Sequence, residues 1–132
     1  MAVHWTLGAD AADPHRLAAF WVVALDYVLE PGYDEPDGAS IVDPQGRGPA
    51  IGWLRVPEEK TAKNRLHIDI RVAGGPPWDW SERAALIRAK VDQLVAAGAT
   101  EVREEVYTDD AGRSALGHVV MLDPEGNEFC VA

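Results

Sequence analysis

Residues 122–131 read LDPEGNEFCV, an Asp-Pro-x-Gly sequence with apolar residues on both sides. Proline and glycine at these positions favour a tight turn, so the segment predicts two short strands joined at residues 123–126. A second such sequence, DPQG, lies at residues 43–46, between apparent strands over 38–43 and 50–56. The same turn therefore recurs in each half of the chain, which indicates an internal duplication.

The first half begins with a strand and a helix. Apolar and polar residues alternate from Val3 to Leu7, which predicts a half-buried strand with His4 and Thr6 on its polar face. Asp13 followed by Pro14 predicts the start of a helix, because aspartate caps well and proline suits the first helical position. Proline and glycine at 31–32 are expected to end that helix.

The second half repeats this order. Residues Leu66 to Val72 form the clearest strand pattern in the chain, with His67, Asp69 and Arg71 on the polar face. A helix is expected to open at Ser81 and to close at Gly98. Its predicted apolar stripe consists of Ala85, Leu86, Val91, Leu94 and Val95. Further strands are expected at 100–107, 117–122 and 127–131.

The two halves thus predict a duplicated βαβββ unit. The fold class is α+β, with module one at about residues 1–60 and module two at about 64–132 of a single domain. Two units are too few for a solenoid, so their sheets are expected to pair around a shared groove. The alternative is a generic α+β domain in which the similarity of the halves is a coincidence.

Composition excludes several classes of protein. The 132 residues are 47% apolar and 26% charged, as in ordinary globular domains, and no apolar run is long enough to span a membrane. A net charge of −10 argues against nucleic acid as a partner. The single Cys130 excludes an intrachain disulfide and a zinc site built on several thiolates. The N-terminal residues do not resemble a signal peptide, so we expect a cytoplasmic protein.

Three residues on different predicted strands could hold a metal ion. His4, His67 and Glu128 supply two imidazoles and one carboxylate, which match a facial triad or a catalytic zinc site with an open position. Glu128 shares its strand face with Cys130 and is also a candidate general base. The structural alternative is an exposed polar strip. Trp53 lies on a predicted strand and could line an apolar pocket for a planar ligand.

The sequence resembles the vicinal-oxygen-chelate superfamily, which includes glyoxalase I, bleomycin-resistance proteins and extradiol dioxygenases. It is most similar to the compact glyoxalase-like domains of actinobacteria. The similarity rests on four segments in the order of the family: residues 13–21, 63–69, 94–100 and 122–131. The closing Asp-Pro-x-Gly-Asn-Glu-Phe sequence is the most specific of them.

This resemblance implies paired βαβββ modules in an open, cup-shaped mixed sheet with the helices outside, and a frequent homodimer. It implies metal ligands at His67 and Glu128. The corresponding position on the first strand is Thr6, with His4 two residues earlier on the same face. The metal would be Zn, Mn, Fe or Ni, and a protein without metal is equally compatible with the resemblance.

Two functions follow from it. The first is a metal-dependent lyase, isomerase or dioxygenase acting on a small molecule with vicinal oxygens, with Glu128 as the catalytic residue. The second is a metal-free protein of the bleomycin-resistance type that sequesters a planar, cationic ligand. Trp53, Asp69, Thr6 and Arg71 are the expected ligand-contacting residues. A third alternative is that His67 and Glu128 are relics, while residues 63–65 tie their loop to the sheet.

Overall fold

The structure, a computed structural model, describes residues 1–132. The chain divides into two compact units, Met1–Thr61 and Ala62–Ala132, here called module one and module two. Module one contains β1 (Leu7–Ala11), α1 (Pro14–Leu25), β2 (Val28–Leu29), β3 (Gly38–Val42) and β4 (Ile51–Arg55). Module two contains β5 (Asp69–Ile70), α2 (Trp80–Ala96), β6 (Thr100–Thr108), β7 (Ser114–Leu122) and β8 (Glu128–Val131).

The two modules have the same topology. Their sheets have the strand orders β1-β4-β3-β2 and β5-β8-β7-β6. In each sheet the first strand pairs parallel with the last, and the remaining pairs are antiparallel. This arrangement confirms the predicted α+β class and the duplicated βαβββ unit. No helix in the chain is both long enough and apolar enough to cross a membrane.

The two Asp-Pro-x-Gly turns are built alike. Asp43 O accepts the N–H of Gly46, and Asp123 O accepts that of Gly126, at 2.9 Å in both turns. The Oδ1 atom of each aspartate also accepts the N–H of the residue two positions along the chain. Both glycines have positive φ, +69° and +82°, which other residues rarely adopt. The same turn conformation therefore joins β3 to β4 and β7 to β8.

Each helix is capped by the aspartate that precedes it and packs on its own sheet. The Asp13 carboxylate accepts the N–H of Arg16, and the Asp79 carboxylate accepts that of Glu82. Helix α1 packs on β3 and β4, and α2 packs mainly on β7. The buried side chains of α1 are Pro14, Leu17, Ala18, Phe20, Trp21 and Ala24. Those of α2 are Arg83, Ile87, Val91 and Leu94.

The helix predictions need two corrections. Helix α1 ends at Leu25, before the Pro31-Gly32 pair, because Asp26 adopts the left-handed conformation and the chain turns into the short β2. The stripe predicted for α2 was partly wrong, since Ala85, Leu86 and Val95 are all exposed, the last two at 42% and 46%. Ile87 occupies the buried face in their place, one helical turn after the buried Arg83.

The first strand of each module also differs from the sequence pattern. The strand predicted over residues 3–7 was wrong, because β4 begins only at Ile51 and pairs with Leu7. Residues before Leu7 therefore have no strand beside them. The strand predicted over 66–72 is reduced to Asp69–Ile70, because β8 begins at Glu128 and leaves Leu66 without a partner. Leu66 is 79% exposed.

Candidate functional site

Strand β8 presents Glu128 and Cys130 on one face. Side chains alternate along a strand, and Phe129 and Val131 are fully buried on the opposite face. The preceding turn is held by Asp123, whose buried carboxylate accepts backbone N–H groups from two turn residues. The direction in which Glu128 leaves the turn is therefore fixed by the buried side of β8 and by Asp123 together.

Strand β5 brings His67 and Asp69 beside this face. Asp69 pairs with Cys130 in the parallel ladder, and the Cys130 N–H donates to Ile68 O at 3.0 Å. His67 Nδ1 lies 2.7 Å from Asp69 Oδ1, and both side chains are about half exposed. One ligand atom each from His67, Asp69 and Cys130 can be chosen so that all three lie within 4.8 Å of one another.

The Cys130 thiol lies beside the Asp69 carboxylate, which affects its pKa. Burial raises its pKa, and the negative charge of Asp69 and a hydrogen bond with the Asp69 carboxylate raise this pKa further. The Arg103 guanidinium acts in the opposite direction but does not overcome these effects. A bound cation would reverse this balance, because metal ions stabilise the thiolate.

Glu128 is engaged by the loop that precedes β5. Lys63 Nζ donates to Glu128 Oε2 at 2.8 Å, and Asn64 Nδ2 donates to the backbone oxygen of Glu128 at 3.0 Å. The side chain of Lys63 is 69% exposed and that of Glu128 is 23% exposed. Residues 63 and 64 thus tie the loop to the sheet, which is the structural role that the sequence suggested for residues 63–65. The Lys63 ammonium also neutralises the charge of the Glu128 carboxylate.

Module one contains a separate cavity of about 440 Å³. Two acidic residues, Asp10 and Glu30, line it, together with Tyr33 and the sequence-predicted Thr6 and Trp53. Trp53 is only 4% exposed and alternates with Gly52 and Leu54 along β4, so its ring belongs mainly to the core. A ligand in this cavity would therefore meet the carboxylates of Asp10 and Glu30 more than the indole ring of Trp53.

The other predicted residues lie apart from these features within their modules. His4 does not lie on a strand, contrary to the prediction, because β1 starts three residues later. With Val3 and Trp5 it lines a hollow against residues 46–49. Arg71 follows β5 and is exposed. Of the predicted set, module two thus brings together His67 and Asp69, with Glu128 on the neighbouring strand.

The donor set on β5 and β8 fits a divalent cation. Imidazole nitrogen, carboxylate oxygen and thiolate sulfur are all ligands of zinc and related transition metals. The side chains of His67 and Asp69 are accessible to solvent, so an ion can reach them. The hydrogen bond between them also orients the imidazole, as carboxylates commonly do for metal-binding histidines.

A comparison with known families decides the assignment. Residues 6–132 match the family model of the glyoxalase-like domain. The chain belongs to the glyoxalase-like domain family. It is accordingly a member of the vicinal-oxygen-chelate superfamily, which confirms the resemblance found in its sequence. No curated protein sequence matches this glyoxalase-like chain significantly.

Solved structures share the fold of this glyoxalase-like chain at low sequence identity. A glyoxalase/bleomycin resistance protein/dioxygenase family enzyme from Burkholderia phytofirmans PsJN is 17% identical, with a TM-score of 0.68 and coverage of 96% of this chain and 94% of that chain. A mutant fosfomycin resistance protein FosX from Listeria monocytogenes is 11% identical, with a TM-score of 0.66 and coverage of 99% and 90%. TioX from Micromonospora sp. ML1 is 17% identical, with a TM-score of 0.53 and coverage of 98% and 97%. These similarities show the fold alone.

Sequence reasoning missed three features of the glyoxalase-like chain. It placed Cys130 beside Glu128 but did not bring it to His67, because that step requires the parallel pairing of β5 with β8. It assigned no partner to Lys63. It also overlooked Asp10, because the strand pattern was placed before Leu7 and no local signal marked the acidic residue as part of a cavity.

Proposed function

We propose that this glyoxalase-like chain binds a small molecule with vicinal oxygens beside a divalent cation on the β5–β8 face. The observation that carries the proposal is the convergence of His67, Asp69 and Cys130 next to Glu128. Membership of the glyoxalase-like family supports it, as does the FosX structure, which was determined with Mn(II) and 1S,2S-dihydroxypropylphosphonic acid. The reaction would be that of a lyase, an isomerase or a dioxygenase.

Three residues of module two have proposed roles in this function. His67 and Glu128 are the proposed ligands, and a bound divalent cation would supply Lewis-acid stabilisation of negative charge on the substrate oxygens. Asp69 holds His67 Nδ1 and so directs the imidazole. Glu128 is the proposed base, accepting a substrate proton at a carboxylate oxygen once Lys63 has been displaced.

Residues of module one and Arg71 are also proposed to take part in binding. His4 is proposed as a further ligand on the sequence argument alone, and a His4→Ala variant tests it by the loss of metal affinity. Thr6, Trp53 and Arg71 are proposed to contact the small molecule. A homodimer is also proposed, and analytical ultracentrifugation of the purified chain tests that assembly.

The proposal is tested by metal content and calorimetric titration of tag-free protein with Zn²⁺, Mn²⁺, Fe²⁺ and Ni²⁺. We expect one ion per chain for at least one of these metals, and loss of binding in His67→Ala. Two matched variants serve as controls. His15→Ala removes an exposed imidazole on α1, and Glu125→Gln removes a turn carboxylate close to Glu128 in sequence. Equal affinity of wild type and His67→Ala would contradict the proposal.

The cavity of module one favours a second candidate, which is binding of a cationic planar molecule without metal. Asp10 and Glu30 supply negative charge to a cavity of about 440 Å³, which suits a ligand of drug size. A screen of cationic aromatic compounds tests this function by isothermal titration. Asp10→Asn should weaken the binding of any compound found, and Asp34→Asn, an exposed loop carboxylate, should leave the affinity unchanged.

A further inference from the structure

We infer that His67, Asp69 and Cys130 form a thiolate-containing site for a zinc-class cation, with Asp69 and Cys130 as ligands in addition to His67. The inference rests on the proposed function of the β5–β8 face and assigns the ligands and the metal class there. It moves the main contacts of the cation from Glu128 to Cys130, two residues later on the same face of β8, and to Asp69, which pairs with Cys130.

The backbone itself brings these three residues together. Asp69 and Cys130 are paired residues of adjacent parallel strands, whose backbones lie about 4.8 Å apart. His67 lies two residues before Asp69 and bonds its carboxylate at 2.7 Å. The pairing of β5 with β8 therefore fixes the positions of Asp69 and Cys130, so the site does not rely on long, flexible side chains. The ligand atoms, which all lie within 4.8 Å of one another, are close enough to share one ion.

The donor types select the metal. Magnesium and calcium prefer oxygen ligands, whereas a set of one imidazole, one carboxylate and one thiolate suits zinc or cobalt. Three protein ligands leave a fourth position open, which is the pattern of catalytic zinc sites. Binding needs no electron transfer: the Cys130 thiol releases its proton to solvent, the imidazole binds in its neutral form, and Asp69 binds as the carboxylate.

Glu128 is less available than these three residues. Its Oε2 atom already accepts a hydrogen bond from the Lys63 ammonium, and a cation on that oxygen must replace another positive charge. The hydrogen bond of the proposed site, in contrast, joins two of its own members, His67 and Asp69.

Cobalt(II) is the probe for this site, because a thiolate bound to cobalt produces a charge-transfer band in the near ultraviolet. The chain has a single cysteine, so such a band in tag-free protein can come only from Cys130. We expect one cobalt ion per chain, the band, and release of a proton. Zn²⁺ should abolish the band by competition. Cys130→Ser should lose the band and weaken zinc binding at least tenfold.

Matched variants separate the inference from the proposed function. Asp69→Asn should also weaken zinc binding, whereas Glu128→Gln should keep the band. Stoichiometric binding without the band, lost in Glu128→Gln and unchanged in Cys130→Ser, would overturn the inference and leave the proposed function intact. One ion for two chains, shared between two Cys130 thiolates, would also overturn it. Absence of stoichiometric binding in wild type would overturn both. Far-ultraviolet circular dichroism confirms that each variant is folded.

Discussion

Lys63 Nζ donates to Glu128 Oε2 at 2.8 Å, so a positive charge lies beside the carboxylate to which the family resemblance assigns metal binding. The ammonium repels any cation that approaches this part of β8. Lys63→Met should therefore raise the affinity for Zn²⁺ several-fold in calorimetric titration. Because the pair is exposed, the free energy of unfolding should change by less than about 1 kcal/mol.

The control for this prediction is Lys60→Met, which removes another exposed lysine of the same loop. It should leave zinc affinity within error of the wild type. Equal affinities in wild type and Lys63→Met would show that the ammonium does not compete with the cation.

The turn aspartate of module one makes stability depend on pH. Backbone N–H groups of Gln45, Gly48 and Arg47 donate to the Asp43 carboxylate and lower its pKa. A group with a lowered pKa in the folded state stabilises the protein above its ordinary pKa, and this contribution disappears as the pH falls through the folded value. The stabilisation should therefore be complete near neutral pH and be lost below about pH 4.

Urea unfolding of wild type and Asp43→Asn across this range measures the effect. The difference in free energy of unfolding should be largest near neutral pH and should shrink as the solution is acidified. Asp34→Asn, in the exposed loop before β3, is the control and should show no comparable trend. A constant difference between wild type and Asp43→Asn at all pH values would contradict the assignment.

Arg83 is a structural residue of module two. It is 4% exposed, its Nη2 donates to Gly117 O at 2.6 Å, and its guanidinium lies 4.8 Å from the ring centroid of Trp78. Arg83→Ala should lower the free energy of unfolding by about 3 kcal/mol, because a charged hydrogen bond and a cation–π contact are both lost. Arg83→Lys should recover little of this, since lysine lacks the planar fork.

Chemical denaturation followed by circular dichroism tests this prediction. Arg88→Ala on the same helix is the matched control, because Arg88 makes exposed ion pairs with Glu101 and Glu104. It should cost less than about 1 kcal/mol. Comparable losses for the two variants would show that Arg83 contributes no more than a surface arginine.

Gly117 leaves room for an aromatic ring. A Cβ at this position would lie 2.6 Å from the Tyr107 ring, which bonds His118 Nδ1 through its hydroxyl at 3.1 Å. Gly117→Ala should therefore displace the ring and cost about 1 kcal/mol. Gly8→Ala is the control on another strand, where nothing lies within 4 Å of the new Cβ. Thermal unfolding measures both variants, and equal melting temperatures for them would refute the steric argument.

The elements with local signals were predictable from the sequence. Asp13 and Pro14 mark the start of α1, and the two Asp-Pro-x-Gly turns mark the hairpins of both modules. These signals act through hydrogen bonds and backbone preferences within a few residues. The repeated order of elements could therefore be predicted without knowledge of packing.

The extents of β1 and β5 could not be predicted in this way. Leu7 pairs with Ile51, and Asp69 pairs with Cys130, so the length of each strand depends on a distant partner. The composition of the candidate site also depends on a distant partner strand, and for this reason it could be predicted only in part. His67 and Glu128 could be named from the sequence, but the place of Cys130 beside His67 follows only from parallel pairing across 61 positions of the chain.

The central claim is that module two holds a divalent cation through His67. The most direct measurement is a calorimetric titration of tag-free wild type, His67→Ala and His15→Ala with Zn²⁺. We expect one high-affinity site per chain in wild type and His15→Ala, and none in His67→Ala. The same single site in His67→Ala, or no site in wild type, would contradict the account.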